Sequence, residues 1–169
     1  DARELDRQCR VDAVLHGAFP LPVHGQDSSR RQRLLLRDTM SAVAETPDFE
    51  TLALERIDEH VMIVRLNRPD ASNALNTQMG RDLVRCFEDV ALDAKGLRCI
   101  VLTGSGDKAF CAGGDLKERR GMTDEAWTRQ HVIFERMVRA LLDCPVPIIG
   151  AVNGAAYGGG CEIAGCCDF

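Results

Sequence analysis

Two glycine clusters, each lying between an apolar strand-like run and the start of a helix, restrict the folding of this chain more than any other feature. The first is Cys111-Ala112-Gly113-Gly114-Asp115; the second runs from Asn153-Gly154 through Gly158-Gly159-Gly160 to Cys161-Glu162. In α/β folds, ligand sites lie beyond the carboxyl ends of strands, where unpaired backbone N–H groups and the positive end of a helix dipole are available. Glycine at such a place allows close backbone approach. Taken singly, each cluster is more often a turn than a site. Neither has the Gly-x-Gly-x-x-Gly or Gly-Lys-Ser/Thr spacing of a phosphate-binding loop.

The segments around the clusters alternate in type. Thr51 to Ile57 and Val61 to Leu66 are β-prone runs separated by Asp58-Glu59-His60, a hairpin pattern. Asn67-Arg68-Pro69-Asp70 breaks the second run. Asn76 is placed to cap a helix whose Met79, Leu83, Cys86, Phe87 and Val90 recur at helical spacing, with Gly96 as its stop. Cys99 to Leu102 reads as a buried strand and Thr103 to Asp107 as a polar loop. Thr123 caps a second helix with Trp127, Phe134, Met137, Val138 and Leu141 on its apolar face, and Pro145 follows its end. Ile148 to Val152 is a third buried strand, and Cys161 to Ala164 opens a further helix. This order predicts an α/β fold with parallel pairing. Asp168 and Phe169 read as the start of another buried strand, so the chain is expected to stop in mid-fold.

Residues 1–50 read as an irregular extension and 51–169 as part of one domain. Seven arginines and six acids are scattered over residues 1–39, too many acids for a transit peptide. The 169 residues suit a single domain, and a hydrophobic fraction of 45% excludes intrinsic disorder. A net charge of -5 supplies no basic field for a phosphate backbone, so no nucleic-acid partner is expected. The longest apolar stretch, Pro145 to Val152, is far short of the ~20 residues of a membrane span, so no membrane partner is expected either. The eight cysteines lie mostly in apolar runs with no Cys-x-x-Cys pair, which predicts reduced core thiols, no metal site and a cytoplasmic location.

Three ordered motifs carry a resemblance. They are Leu66-Asn67-Arg68-Pro69 followed by Asn73-Ala74-Leu75-Asn76; Phe110-Cys111-Ala112-Gly113-Gly114-Asp115-Leu116-Lys117-Glu118; and Pro145-Val146-Pro147-Ile148-Ile149-Gly150-Ala151-Val152-Asn153-Gly154 running into Gly158-Gly159-Gly160-Cys161-Glu162. Together they resemble the enoyl-CoA hydratase/isomerase, or crotonase, superfamily over about residues 51 to 169. The resemblance implies a crotonase-like spiral of ββα turns, incomplete in this chain. It also implies a coenzyme A thioester substrate, assembly into homotrimers or hexamers, and no metal or redox cofactor. By position, Ala112 and Gly159 match the residues whose backbone N–H groups form an oxyanion hole for the thioester carbonyl. Ala112, Gly113, Gly114, Asp115 and Gly159 match the substrate-binding segment. Glu162 matches the first of two water-activating glutamates, a general base if partial burial raises its pKa.

Two departures bear on the reaction. Gly114 stands where many hydratases have alanine, and the second glutamate of the family lies beyond Phe169. The implied activity is a hydratase adding water across the double bond of a 2-enoyl-CoA. An isomerase or another crotonase-type acyl-CoA reaction is the alternative, and a non-catalytic fragment or binding module is the alternative of another class. His16, His24, His60 and His131 match no family role. Lys117 reads equally well as a pocket or a surface residue, and Cys161 is expected to be a packing residue rather than a nucleophile.

Overall fold

A computed structural model of the chain describes residues 48–169, so nearly all of the 1–50 extension lies outside the described residues. Strand β1 (Leu52–Arg56) and strand β2 (Val61–Leu66) form the expected hairpin, in antiparallel register from Leu52 opposite Leu66 to Arg56 opposite Met62. The Asp58 carboxylate closes the turn by accepting from the N–H groups of His60 and Val61. Along β2, Met62, Val64 and Leu66 are buried while the residues between them are only partly so, the period of two that a strand imposes.

Helix α1 (Thr77–Leu92) starts where the Asn76 side chain accepts from the Met79 N–H, and it ends at Asp93, before the expected stop at Gly96. Strand β3 (Cys99–Gly104) runs through Thr103 and Gly104, which the sequence reading assigns to a loop. The chain then makes strand β4 (Ala109–Cys111), the short helix α2 (Leu116–Arg119) and helix α3 (Asp124–Leu142), capped by Thr123 as expected. Strand β5 (Ile148–Ala151), strand β6 (Ala155–Ala156) and helix α4 (Gly159–Gly165) complete the described elements.

One sheet has the order β1-β2-β3-β5, with β2, β3 and β5 parallel. Strands β4 and β6 pair parallel in a second layer, which a bridge between Leu75 and Gly114 extends. Each pass of the chain therefore lays one strand in the first sheet, crosses to the second layer and leaves through a helix. These are successive ββα turns. Their shared core holds Val64, Leu66, Leu83, Phe87, Ile100, Leu102, Phe110, Ile148 and Ile163. Strands β4 and β6 escape a sequence reading because two or three residues are too few to display a period.

Three expectations are corrected by packing. Trp127 is 48% exposed and stacks on His131 with ring centroids 5.2 Å apart, so the buried face of α3 is Gln130, Met137 and Leu141. Phe169 is exposed, although it exchanges backbone hydrogen bonds with β5 as a strand would: its N–H donates to Ile148 O and its carbonyl accepts from Gly150 N–H. The described cysteines form no disulfide with one another, and Cys86, Cys111 and Cys144 are core residues as expected, whereas Cys161 is exposed with its thiol directed at Ala156 O. Burial pushes the Cys86 thiol up to about 12. Among the described residues no helix is long and apolar enough to cross a membrane.

Candidate active site

The first glycine cluster is held by a polar scaffold from the loop after β2. Arg68 donates through one Nη to Ala74 O at 2.6 Å and through the other to Asp115 Oδ2 at 2.9 Å. Asn73, buried, accepts from the Arg68 N–H through Oδ1 and donates through Nδ2 to Ser105 O and Ala109 O. Leu75 N–H donates to Gly113 O, and Asp115 N–H returns a bond to Leu75 O. The other Asp115 oxygen accepts from the N–H groups of Lys117 and Glu118, which caps α2. Both carboxylate oxygens of Asp115 are thus engaged within the fold, where they hold the loop. Lys117 is exposed.

Burial raises the Asp115 carboxyl, but Arg68 and the two helix N–H groups more than offset it, leaving the pKa below its ordinary value. A group depressed in the folded state stabilises fully above its unfolded pKa and loses that contribution as pH falls through the folded value. In the full-length protein, Asp115→Asn is therefore expected to cost about 1.5 to 3 kcal/mol at neutral pH, with the gap to wild type closing below about pH 4. Thermal melting from pH 7 to pH 3 measures it. A gap that ignores pH would assign the loss to something other than the charge.

The second cluster lies against the first. Tyr157 N–H donates to Cys111 O at 3.0 Å, continuing the β4–β6 pairing. Gly113 has φ +81, and a methyl group there would lie 2.5 Å from Tyr157 O and 3.4 Å from Gly159 N, so only glycine lets the two loops touch. Gly159 and Gly113 are thereby brought side by side from positions far apart in the chain.

The hydrogen bonds of these loops decide which N–H groups remain open. Ala112 N–H donates to Ser72 O at 3.0 Å, Gly113 N–H faces the Cys111 sulfur, and Asp115 N–H is bound to Leu75 O. On that loop Gly114 N–H has no partner among the described residues, and Gly113 N–H has only that sulfur. In the second loop the N–H groups of Tyr157, Gly160, Cys161 and Glu162 are all satisfied by backbone carbonyls, while the Gly158 and Gly159 N–H groups have no partner among the described residues, and of the two Gly159 lies against Gly113. The expectation for Ala112 is corrected accordingly: its donor is spent on Ser72, and the open donor lies two residues on. Glu162 sits in the first turn of α4, with its Oε2 3.9 Å from where a methyl on Gly159 would be. It is exposed, so residues 48–169 do not supply the partial burial expected of it.

Arg68 and Asn73 stand inside a motif the sequence reading recognises, but nothing local reveals that they fasten the loop to Asp115 and Ala109. Those partners are 47 and 36 residues away.

Two open backbone donors on abutting loops, with a carboxylate beside one of them, can polarise a carbonyl and move a proton next to it. The site sits on a stack of ββα turns in an α/β fold. The profile of the enoyl-CoA hydratase/isomerase family matches residues 56–169. The chain belongs to the enoyl-CoA hydratase/isomerase family, and its fold is crotonase-like. It is 38% identical over 122 residues to the short-chain-enoyl-CoA hydratase of Clostridium acetobutylicum, covering 72% of this chain and 46% of that protein. It is 33% identical over 141 residues to the mitochondrial Delta(3,5)-Delta(2,4)-dienoyl-CoA isomerase of Homo sapiens, covering 76% and 42%. The crystal structure of enoyl-CoA hydratase from Bacillus anthracis superposes with a TM-score of 0.68 at 35% identity, over 71% of this chain and 46% of that one. The chain spans less than half the length of these relatives.

Proposed function

We propose that the chain is the N-terminal part of an enoyl-CoA hydratase acting on a 2-enoyl-CoA thioester. The observation that carries this reading is the pair of open donors, Gly114 N–H and Gly159 N–H, on loops that touch through Gly113. Hydroxide addition at the β carbon pushes charge onto the thioester oxygen, and two fixed donors lower the energy of that enolate. Glu162 takes a proton from the attacking water as the C–O bond forms at the β carbon and the C=C π electrons move into the enolate, and the same proton then returns from Glu162 to the α carbon on the same face as the thioester carbonyl re-forms. The reaction is redox-neutral and needs no metal or redox cofactor. The same reading takes the working protein as a cytoplasmic homotrimer or hexamer.

Enoyl-CoA isomerisation is the second reading, favoured by the likeness to the dienoyl-CoA isomerase. It uses the same enolate and differs in where protons leave and return. Incubating the full-length protein with crotonyl-CoA and following loss of the conjugated double bond separates the two. Formation of 3-hydroxybutyryl-CoA is the expected result, and turnover of a 3-enoyl-CoA without hydration of crotonyl-CoA would replace it with the isomerase reading.

A further inference from the structure

Arg119, the last residue of α2, is half-buried, yet among the described residues no carboxylate pairs with it. Its guanidinium makes one hydrogen bond among the described residues, a long one from Nε to Gln130 Oε1 at 3.4 Å. The acid beside it does not neutralise it: Glu118 Oε2 accepts from Thr77 N–H at 2.9 Å and from Gln130 Nε2 at 2.8 Å. Gln130, 2% exposed, also donates to Thr77 Oγ1, so it is a fixed post that aims the guanidinium while both Nη groups stay open. Arg68, by contrast, has its guanidinium occupied by Asp115 and Ala74.

The guanidinium lies flat over Gly114. A methyl on that residue would sit 2.8 Å from Arg119 Cζ and 2.9 Å from Nη2. Glycine at this position therefore makes room for a cation immediately beside an open backbone donor. A planar fork of N–H groups held in a partly dry place matches a carboxylate through two parallel hydrogen bonds. The phosphates of coenzyme A are separated from the thioester by the whole pantetheine arm. An anion reaching Arg119 while the thioester oxygen rests on Gly114 must then belong to the acyl group.

We propose that Arg119 is a specificity-determining residue that binds a carboxylate at the far end of a short acyl chain, making the preferred substrates thioesters of dicarboxylic acids. The inference rests on the placement of the thioester oxygen proposed above. Its test is titration calorimetry of the full-length protein with two unreactive thioesters, glutaryl-CoA and butyryl-CoA, on wild type and Arg119→Ala, with melting curves to verify the fold. Wild type is expected to favour glutaryl-CoA. Arg119→Ala is expected to weaken glutaryl-CoA by roughly 10- to 100-fold, the scale of hydrogen bonds to a charged group, and butyryl-CoA by no more than about 3-fold. Equal wild-type affinities, or equal losses for both ligands in a folded variant, would overturn the proposal. If the variant does not fold, the wild-type comparison alone decides. Hydration of crotonyl-CoA without selectivity removes only the role of Arg119, selective glutaryl-CoA binding without hydration removes only the hydratase reading, and binding of neither thioester removes both.

Discussion

Glu162→Gln is expected to lower kcat for crotonyl-CoA hydration by about 10² or more in the full-length protein, while thioester affinity and melting temperature stay near wild type. The expectation follows from where the carboxylate stands. It lies in the first turn of α4 beside Gly159, and among the described residues it makes no hydrogen bond or ion pair. Apart from helping to push the nearby Cys166 thiol up, its charge holds nothing in the described fold, so glutamine, which keeps the shape and loses the proton-accepting oxygen, removes base catalysis. Steady-state kinetics with both thioester concentration and pH varied give the answer. Wild-type turnover by the variant would take Glu162 out of the chemistry and leave it as an acid complementing the helix dipole.

The largest effect on folding is expected from Gly160→Ala. A methyl at Gly160 would lie 2.2 Å from the Cys111 carbonyl oxygen and 2.9 Å from its carbonyl carbon. These are backbone atoms of β4 whose carbonyl is already bound by Tyr157 N–H, so they cannot swing aside as a side chain would. Relief requires moving α4 away from the second layer, which would also separate Gly159 from Gly113. The cost is expected to be about 3 kcal/mol or more, at or beyond the usual upper range for overpacking. Gly121→Ala is the control, because its methyl would meet nothing closer than the Glu118 carbonyl oxygen at 3.9 Å. Thermal melting of the two full-length variants compares them, and a Gly160→Ala protein as stable as Gly121→Ala would show that the α4 contact with β4 is looser than described.

Much of the fold could be read from local pattern. The hairpin, the Asn76 and Thr123 caps, and the parallel strands at Cys99 and Ile148 all announce themselves within a dozen residues, because a cap, a turn and a period of two or 3.6 are short-range physics. The misjudged residues failed for one reason. Trp127 satisfies the helical period but falls at the rim of the buried face, and Phe169 pairs with β5 without being covered. Periodicity specifies which side of an element is apolar, and packing decides how far along that side burial extends.

At the site the division is sharper. The amino-acid sequence by itself determined that two glycine clusters follow strands, that glutamate stands at 162, and that the order of elements is α/β. Only the tertiary structure decided which backbone donors are open, since Ala112 is claimed by Ser72 and Asp115 by Leu75 across loops some 40 residues apart. It also decided that the Asp115 carboxylate is a strut for Arg68 rather than an open pocket group, and that Arg119 reaches the face of Gly114. The physical reason is that a backbone N–H is chemically the same at every residue. Whether it can act on a ligand depends on which carbonyl, brought in by a distant part of the chain, reaches it first.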